Sequence, residues 1–276
     1  MFQSSIMQMA FAVGLLLAIT IPLVGSTAVY KRLSMTGDAL AHSSLAGVAI
    51  GLAAGFNPLL TSVLVCIVSI LIIELIRKRF SKFSELGVAV VLSAGIGIAG
   101  IMTSYTKVGN FDSYLFGSIL LVDKLELYLV IGLFVIVGLF YLFFHKQIFA
   151  TIYNEEEAKV QGIHTGIINF VQSLLLALTI ALSAKTIGSL VVSSLIVLPI
   201  ATALQFKKNY LSSLIIAIIA SVLSTFIGLT GSYYLDYKPG STIVVVAVIL
   251  LLICLFGSAL VSFIKTKNSR LKRIGK

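Results

Sequence analysis

Asp38 and His42 stand four residues apart in "GDALAH" (residues 37–42), inside a stretch that is otherwise apolar. On a helix that spacing sets both side chains on one face about one turn apart, so a carboxylate oxygen and an imidazole nitrogen can reach the same ion. A mixed oxygen and nitrogen set suits Zn2+, Mn2+ or Fe2+. It serves Ca2+ and Mg2+ poorly, because those ions favour all-oxygen shells. Two other readings of the pair stay open. Asp38 could cap a helix starting near residue 39, after the polar "SMTG", while His42 bonds a backbone carbonyl. The pair could also relay protons in a secondary transporter.

The helix that must carry these residues has a second pattern. Gly47, Gly51 and Gly55 recur every fourth position, the small-residue spacing that lets two membrane helices approach closely. Five positions from His42 to Gly47 leave the glycines roughly 140° around the helix from the imidazole. One face is therefore expected to pack against a neighbouring helix, and another to present the ionisable pair to a cavity.

Composition explains why such a pair is conspicuous. The 276 residues are 59% hydrophobic and 11% charged, with a mean hydropathy of +1.11. Apolar segments run over 6–29, 35–55, 59–76, 86–105, 125–144, 165–184, 187–204, 210–230 and 242–264. Each approaches the ~17–25 residues needed to cross a bilayer. The chain reads as a polytopic membrane protein with no separable soluble domain, and an ionisable residue in such a helix normally faces a partner or a water-filled path. Cys66 and Cys254 lie within apolar runs, where a thiol acts as a small hydrophobe.

The net charge of +10 orients the protein. With the N-terminus outside, 16 of the 20 basic residues fall on the inner side; Lys107, Lys124, Lys185 and Lys238 remain outside. No nucleic-acid role is needed to account for them. Six basic residues crowd the end of the chain, so residues 1–264 read as one transmembrane unit and 265–276 as a basic cytoplasmic tail near anionic lipid. Residues 111–124, "FDSYLFGSILLVDK", are too short to span and too apolar for a solvated loop, which suits a re-entrant piece. Glu74 precedes Arg77 and Lys78 by three and four residues, a spacing for local pairing at the membrane edge. "YYLDYKPG" reads as an outer loop turning at Pro239 and Gly240.

The longest inner loop, 145–164, holds "NEEEAKVQGI", where Asn154 can cap a short helix, Glu155, Glu156 and Glu157 occupy its first turn, and Gly162 can end it. Such a helix is either a docking element or merely a solvated loop. His145 and His164 bracket the loop and are expected to be solvated. No phosphate-binding GxxxxGK[ST] loop is present, the only Gly-Lys pair being Gly275 and Lys276, so any ATP-driven process needs a separate subunit. Nor is there a GxSxG, HExxH or CxxC motif, so a membrane-embedded enzyme would lack its usual residues.

"GDALAHSSLAGVAIG" (37–51) resembles the second-helix signature of the manganese/zinc permease family of bacterial ATP-binding-cassette importers. "FGSILLV" (116–122), "GSLVVSSLIVLPIATA" (188–203) and "SYYLDYKPGSTIVV" (232–245) are similar to the same family and follow in its order. The resemblance implies a permease subunit, not an enzyme, in the bacterial plasma membrane. It implies a second permease protomer, a cytoplasmic ATPase dimer and an extracytoplasmic metal-binding protein as partners. Mn2+ or Zn2+ is its transported substrate, with no permanently bound cofactor. By position, Asp38 and His42 match the family's membrane metal site, and "EEEAKVQG", with Glu155, Glu156, Glu157, Ala158 and Gly162, its ATPase-coupling helix. Ala46 replaces a frequent proline, so this helix is expected to be less kinked. The expected fold is all-α: eight to nine transmembrane helices, a short re-entrant segment and a cytoplasmic coupling helix.

Overall fold

The computed structural model describes residues 5–80, 83, 85–105, 122–206 and 208–274. The elements within them are all helices: α1 (Ser5–Tyr30), α2 (Met35–Ala54), α3 (Pro58–Arg79), α4 (Glu85–Tyr105), α5 (Lys124–Tyr153), α6 (Glu155–Val160), α7 (Thr165–Thr186), α8 (Ser189–Leu204), α9 (Tyr210–Leu235) and α10 (Pro239–Ile274). Seven of them, α1, α3, α4, α5, α7, α9 and α10, are long and apolar enough to cross a membrane. α2 falls outside that group because Asp38, His42 and neighbouring polar residues lower its hydropathy. α8 falls outside it because it has only 16 residues. Each of the nine apolar segments in the sequence lies on a helix.

The layering follows from burial. α1 and α7 are the most enclosed of the seven, with 67% and 61% of their apolar windows buried; α4, α5 and α10 bury only 22%, 22% and 17%. α2 and α8 complete the centre, for most of their side chains are buried. α2 packs against α3, α4, α7 and α8, while α1 packs against α5, α7, α8 and α9. Exposed leucines, isoleucines and phenylalanines on α3, α4, α5 and α10 form the outer, lipid-facing surface.

Local chemistry sets the helix ends. Asn57 Oδ1 accepts from Leu59 N at 2.9 Å, with Pro58 as the first residue of α3. Asp123 caps α5 and closes a reciprocal box with Glu126. Between α1 and α2 the Leu33 N–H donates to Ala28 O at 2.7 Å and the Arg32 N–H to Val29 O at 3.0 Å. With Arg32 at φ 60°, this is a left-handed helix stop followed at once by the first turn of α2.

Several expectations change. Asp38 does not cap α2: the helix begins at Met35, with Ser34 at the cap position, and Asp38 sits within the first turn. Gly55 is not a packing notch. It lies at φ 72° with nothing within 4 Å of an added Cβ, and it ends α2. The inner loop is shorter than 145–164, because α5 runs 30 residues to Tyr153 and takes His145 into its last third. Pro239 and Gly240 open α10 instead of forming a turn, since proline fits a first helical turn that lacks N–H partners anyway. Residues 111–121 of the expected re-entrant segment lie outside the described residues; Val122 is buried, Asp123 is the α5 cap and Lys124 its first residue. Helical backbone continues through the basic stretch to Ile274. α2 is a single continuous helix through Ala46.

Candidate functional site

Three neighbours fix the rotation of α2. Against α3, an added Cβ on Gly47 would stand 2.6 Å from Ser62 Cα and 2.8 Å from Thr61 O; one on Gly51 would stand 2.9 Å from Pro58 Cα. These are backbone atoms that cannot swing away, so the two glycines let α2 and α3 touch. Between them and the site, the buried Ser44 and Ser62 hydroxyls bond each other at 2.8 Å. Against α4, Gly95 lies on the His42 peptide, with its added Cβ 3.1 Å from the carbonyl carbon. Against α8, Ile196 fills the spaces left by Gly37 on α2 and Gly25 on α1.

That packing buries thirteen residues of α2 and leaves Asp38 and His42 half-buried. Among the described residues neither side chain has a hydrogen bond or ion pair, so the carbonyl-bound reading of His42 has no support here. Also among the described residues, no group of three or more His, Cys, Asp or Glu side chains is placed to hold a metal ion. The pair offers two donors. Asp38 benefits from its place in the first turn, where the helix N-terminus favours a negative charge.

On the inner side, Asn154 Oδ1 accepts from Glu156 N and Glu157 N at 3.1 and 3.3 Å and starts α6. Glu155, Glu156 and Glu157 are exposed, with Glu155 turned toward α7, Ala158 is buried against the body, and Gly162 at φ 81° takes the chain out of the helix. Lys159 bonds Glu156 at 2.8 Å, which raises the lysine above its ordinary value. Tyr153, the last residue of α5, and Val160, the last of α6, are 79% and 89% exposed.

The sequence reading missed a polar cluster at the inner ends of α1, α3 and α7. Lys31 Nζ donates to Asn169 Oδ1 at 2.6 Å; Arg77 pairs with Glu74 at 2.6 Å; Ser173 Oγ donates to Glu74 Oε1 at 2.8 Å. Glu74 is thus more than a local partner for Arg77. It also missed an ion pair at the other end of the bundle between Glu126 of α5 and Lys185 of α7. Asn169 and Gln172, polar residues within an apolar run, were the available signal for the inner cluster.

Known proteins resemble this chain along most of its length. The profile described as "ABC 3 transport family" matches residues 3–258. The chain is 39% identical over 255 residues, 92% of its length, to 96% of a Treponema pallidum protein named "Probable metal transport system membrane protein". It is 31% identical over 252 residues to the Haemophilus influenzae "High-affinity zinc uptake system membrane protein ZnuB", covering 90% of this chain and 95% of that one. The fold is shared with the solved structure "PsaBC from Streptococcus pneumoniae in complex with Fab", at a TM-score of 0.80 and 23% identity over 91% of both chains. With a profile matched from one end of its helical bundle to the other, this chain belongs to the ABC 3 transport family, whose curated members include membrane proteins of metal transport systems.

Proposed function

We propose that the chain is the membrane-spanning permease subunit of an importer for a divalent transition metal, Zn2+ or Mn2+, driven by a separate ATPase. Asp38 and His42 are the ligands the ion meets in transit. One observation carries the site: in a helix otherwise sealed on three sides, the acid and the imidazole share a face, stay half-open and have no partner among the described residues. Family membership supports the transport reading.

In this reading α2 and α8 also cross the membrane, giving nine helices with the basic residues inside, in a bacterial plasma membrane. A metal-binding protein delivers the ion at the outer face. An ATPase dimer grips α6 through Glu155, Glu156 and Glu157 and the exposed Tyr153 and Val160, while buried Ala158 ties α6 to the body and Gly162 frees the chain beyond it. Two donors hold a divalent ion weakly, as a transit site must. A second protomer facing the open side of α2 would supply another such pair.

Reconstitution with the ATPase and the delivering protein tests this. Asp38→Ala should abolish ATP-dependent Mn2+ or Zn2+ uptake while the complex still assembles; normal uptake by that variant refutes the site. A proton-relay transporter would instead work in vesicles without any ATPase.

A further inference from the structure

Lys31 is the first residue after α1, and its ammonium points into the protein. Asn169 of α7, only 8% exposed, accepts its hydrogen bond at 2.6 Å. The charged groups around it come from two other elements: Glu74 and Arg77 from α3, and Glu155 from α6. Glu155 is the first residue of α6 and also accepts from Thr165 Oγ1, at the start of α7, at 3.4 Å. These groups line a cavity of about 510 Å3, with Lys31, Asn169, Glu74, Arg77, Lys78 and Glu155 in its wall. On the other side, Lys31 is joined to the site by a short turn. At the helix stop the N–H groups of Lys31, Arg32 and Leu33 all donate back into α1, and Thr36 N donates to Leu33 O at 3.0 Å and Gly37 N to Ser34 O at 3.3 Å, so a short hydrogen-bonded turn links Lys31 to Asp38.

We infer that Lys31 is a positioning residue for transport: its bond to Asn169 fastens the α1–α2 turn to α7 beside the coupling helix, so that the first turn of α2, with Asp38, follows movements of α6. The inference rests on the permease reading and on α6 as the coupling element. A lysine is suited to the task because one flexible ammonium can answer to Asn169, Glu74 or Glu155 as α6 shifts, where a fixed apolar contact would simply part. Its charge is available near neutrality, since burial lowers it to about 8, an effect that Arg77 reinforces and that Glu155 and Glu74 partly offset.

The test is the number of Mn2+ or Zn2+ ions imported per ATP hydrolysed by the full complex in vesicles. Lys31→Met should keep ATP hydrolysis and lower the ratio roughly fivefold or more, the range of an ordinary coupling energy. Lys31→Arg should restore most of it. The wild-type ratio should fall from pH 7 to pH 9 as the ammonium loses its proton, whereas the Lys31→Arg ratio stays flat. Asn169→Leu repeats the loss from the other side of the bond, should Lys31→Met fail to assemble. An unchanged ratio in Lys31→Met or Asn169→Leu, uptake and hydrolysis falling in proportion, or identical pH profiles for wild type and Lys31→Arg would each overturn the inference. A wild-type complex without ATP-dependent uptake would overturn the permease reading itself, and this inference with it.

Discussion

Gly95 of α4 rests directly on the peptide carbonyl of His42, with no side chain between the two helices at that level. A branched side chain cannot fit without moving α4 away from the turn of α2 that carries His42. Gly95→Val should therefore reduce metal uptake more than tenfold, while Gly100→Val, on the same helix with open space around it, should leave uptake near wild type. Transport assays on both variants, matched for membrane expression, decide it.

The glycines of α2 should separate into two classes. At Gly47 an added methyl meets backbone of Ser62 and Thr61, and at Gly51 backbone of Pro58, so alanine at either should cost about 1–3 kcal/mol. At Gly55 the space is open and the difficulty is φ 72°, so alanine should cost about 1 kcal/mol. Unfolding of the detergent-solubilised variants measures both; equal losses at all three positions would contradict this division.

Glu126 and Lys185 bind the start of α5 to the end of α7. The carboxylate is 8% exposed and the ammonium 32%. Losing one partner of a buried pair leaves a stranded charge, and with Lys185 partly hydrated the loss for Glu126→Gln should be about 2 kcal/mol. Glutamine keeps the bond to the Asp123 N–H, so the helix cap is not the cause. The double change Glu126→Leu with Lys185→Leu should recover most of the stability.

Lys31 makes an opposite demand on stability and on transport. Its folded-state value of about 8 lies below the ordinary 10.5, so above pH 8 the unfolded chain binds the proton more tightly. Stability should accordingly rise with pH between about 8 and 10. The melting temperature of the wild-type permease should increase over this range more than that of Lys31→Met, even as ions imported per ATP decline. A common rise in both proteins would remove Lys31 as the cause.

What the sequence discloses here is mostly periodic. The four-residue spacing of Asp38 and His42, and of Gly47 and Gly51, is a local property of one helix, and the helix forms as that spacing requires. Gly55 continues the same spacing, yet Asn57 and Pro58 start a new helix two residues later, so conformation at a helix stop takes precedence over packing. Contacts between distant segments leave no such trace. Lys31 and Asn169 are 138 residues apart, Glu74 and Ser173 are 99 apart, and only the folded bundle brings each pair together. The inner loop between α5 and α7 is shorter than the sequence suggests, because His145 and Lys146 look like the end of an apolar run yet lie within α5. A helix of 30 residues extends about 45 Å and simply continues past the hydrocarbon.

α8 has a bearing on how the protein is made. At 16 residues it is about 24 Å long, short of the ~30 Å hydrocarbon slab, and only Ile187 and Gly188 separate it from α7. Such a segment is apolar enough for lipid but too short to span it comfortably alone. On the proposed nine-helix reading, α7 and α8 are expected to enter the membrane together as a hairpin, with Gly188 at φ 102° in the bend between them.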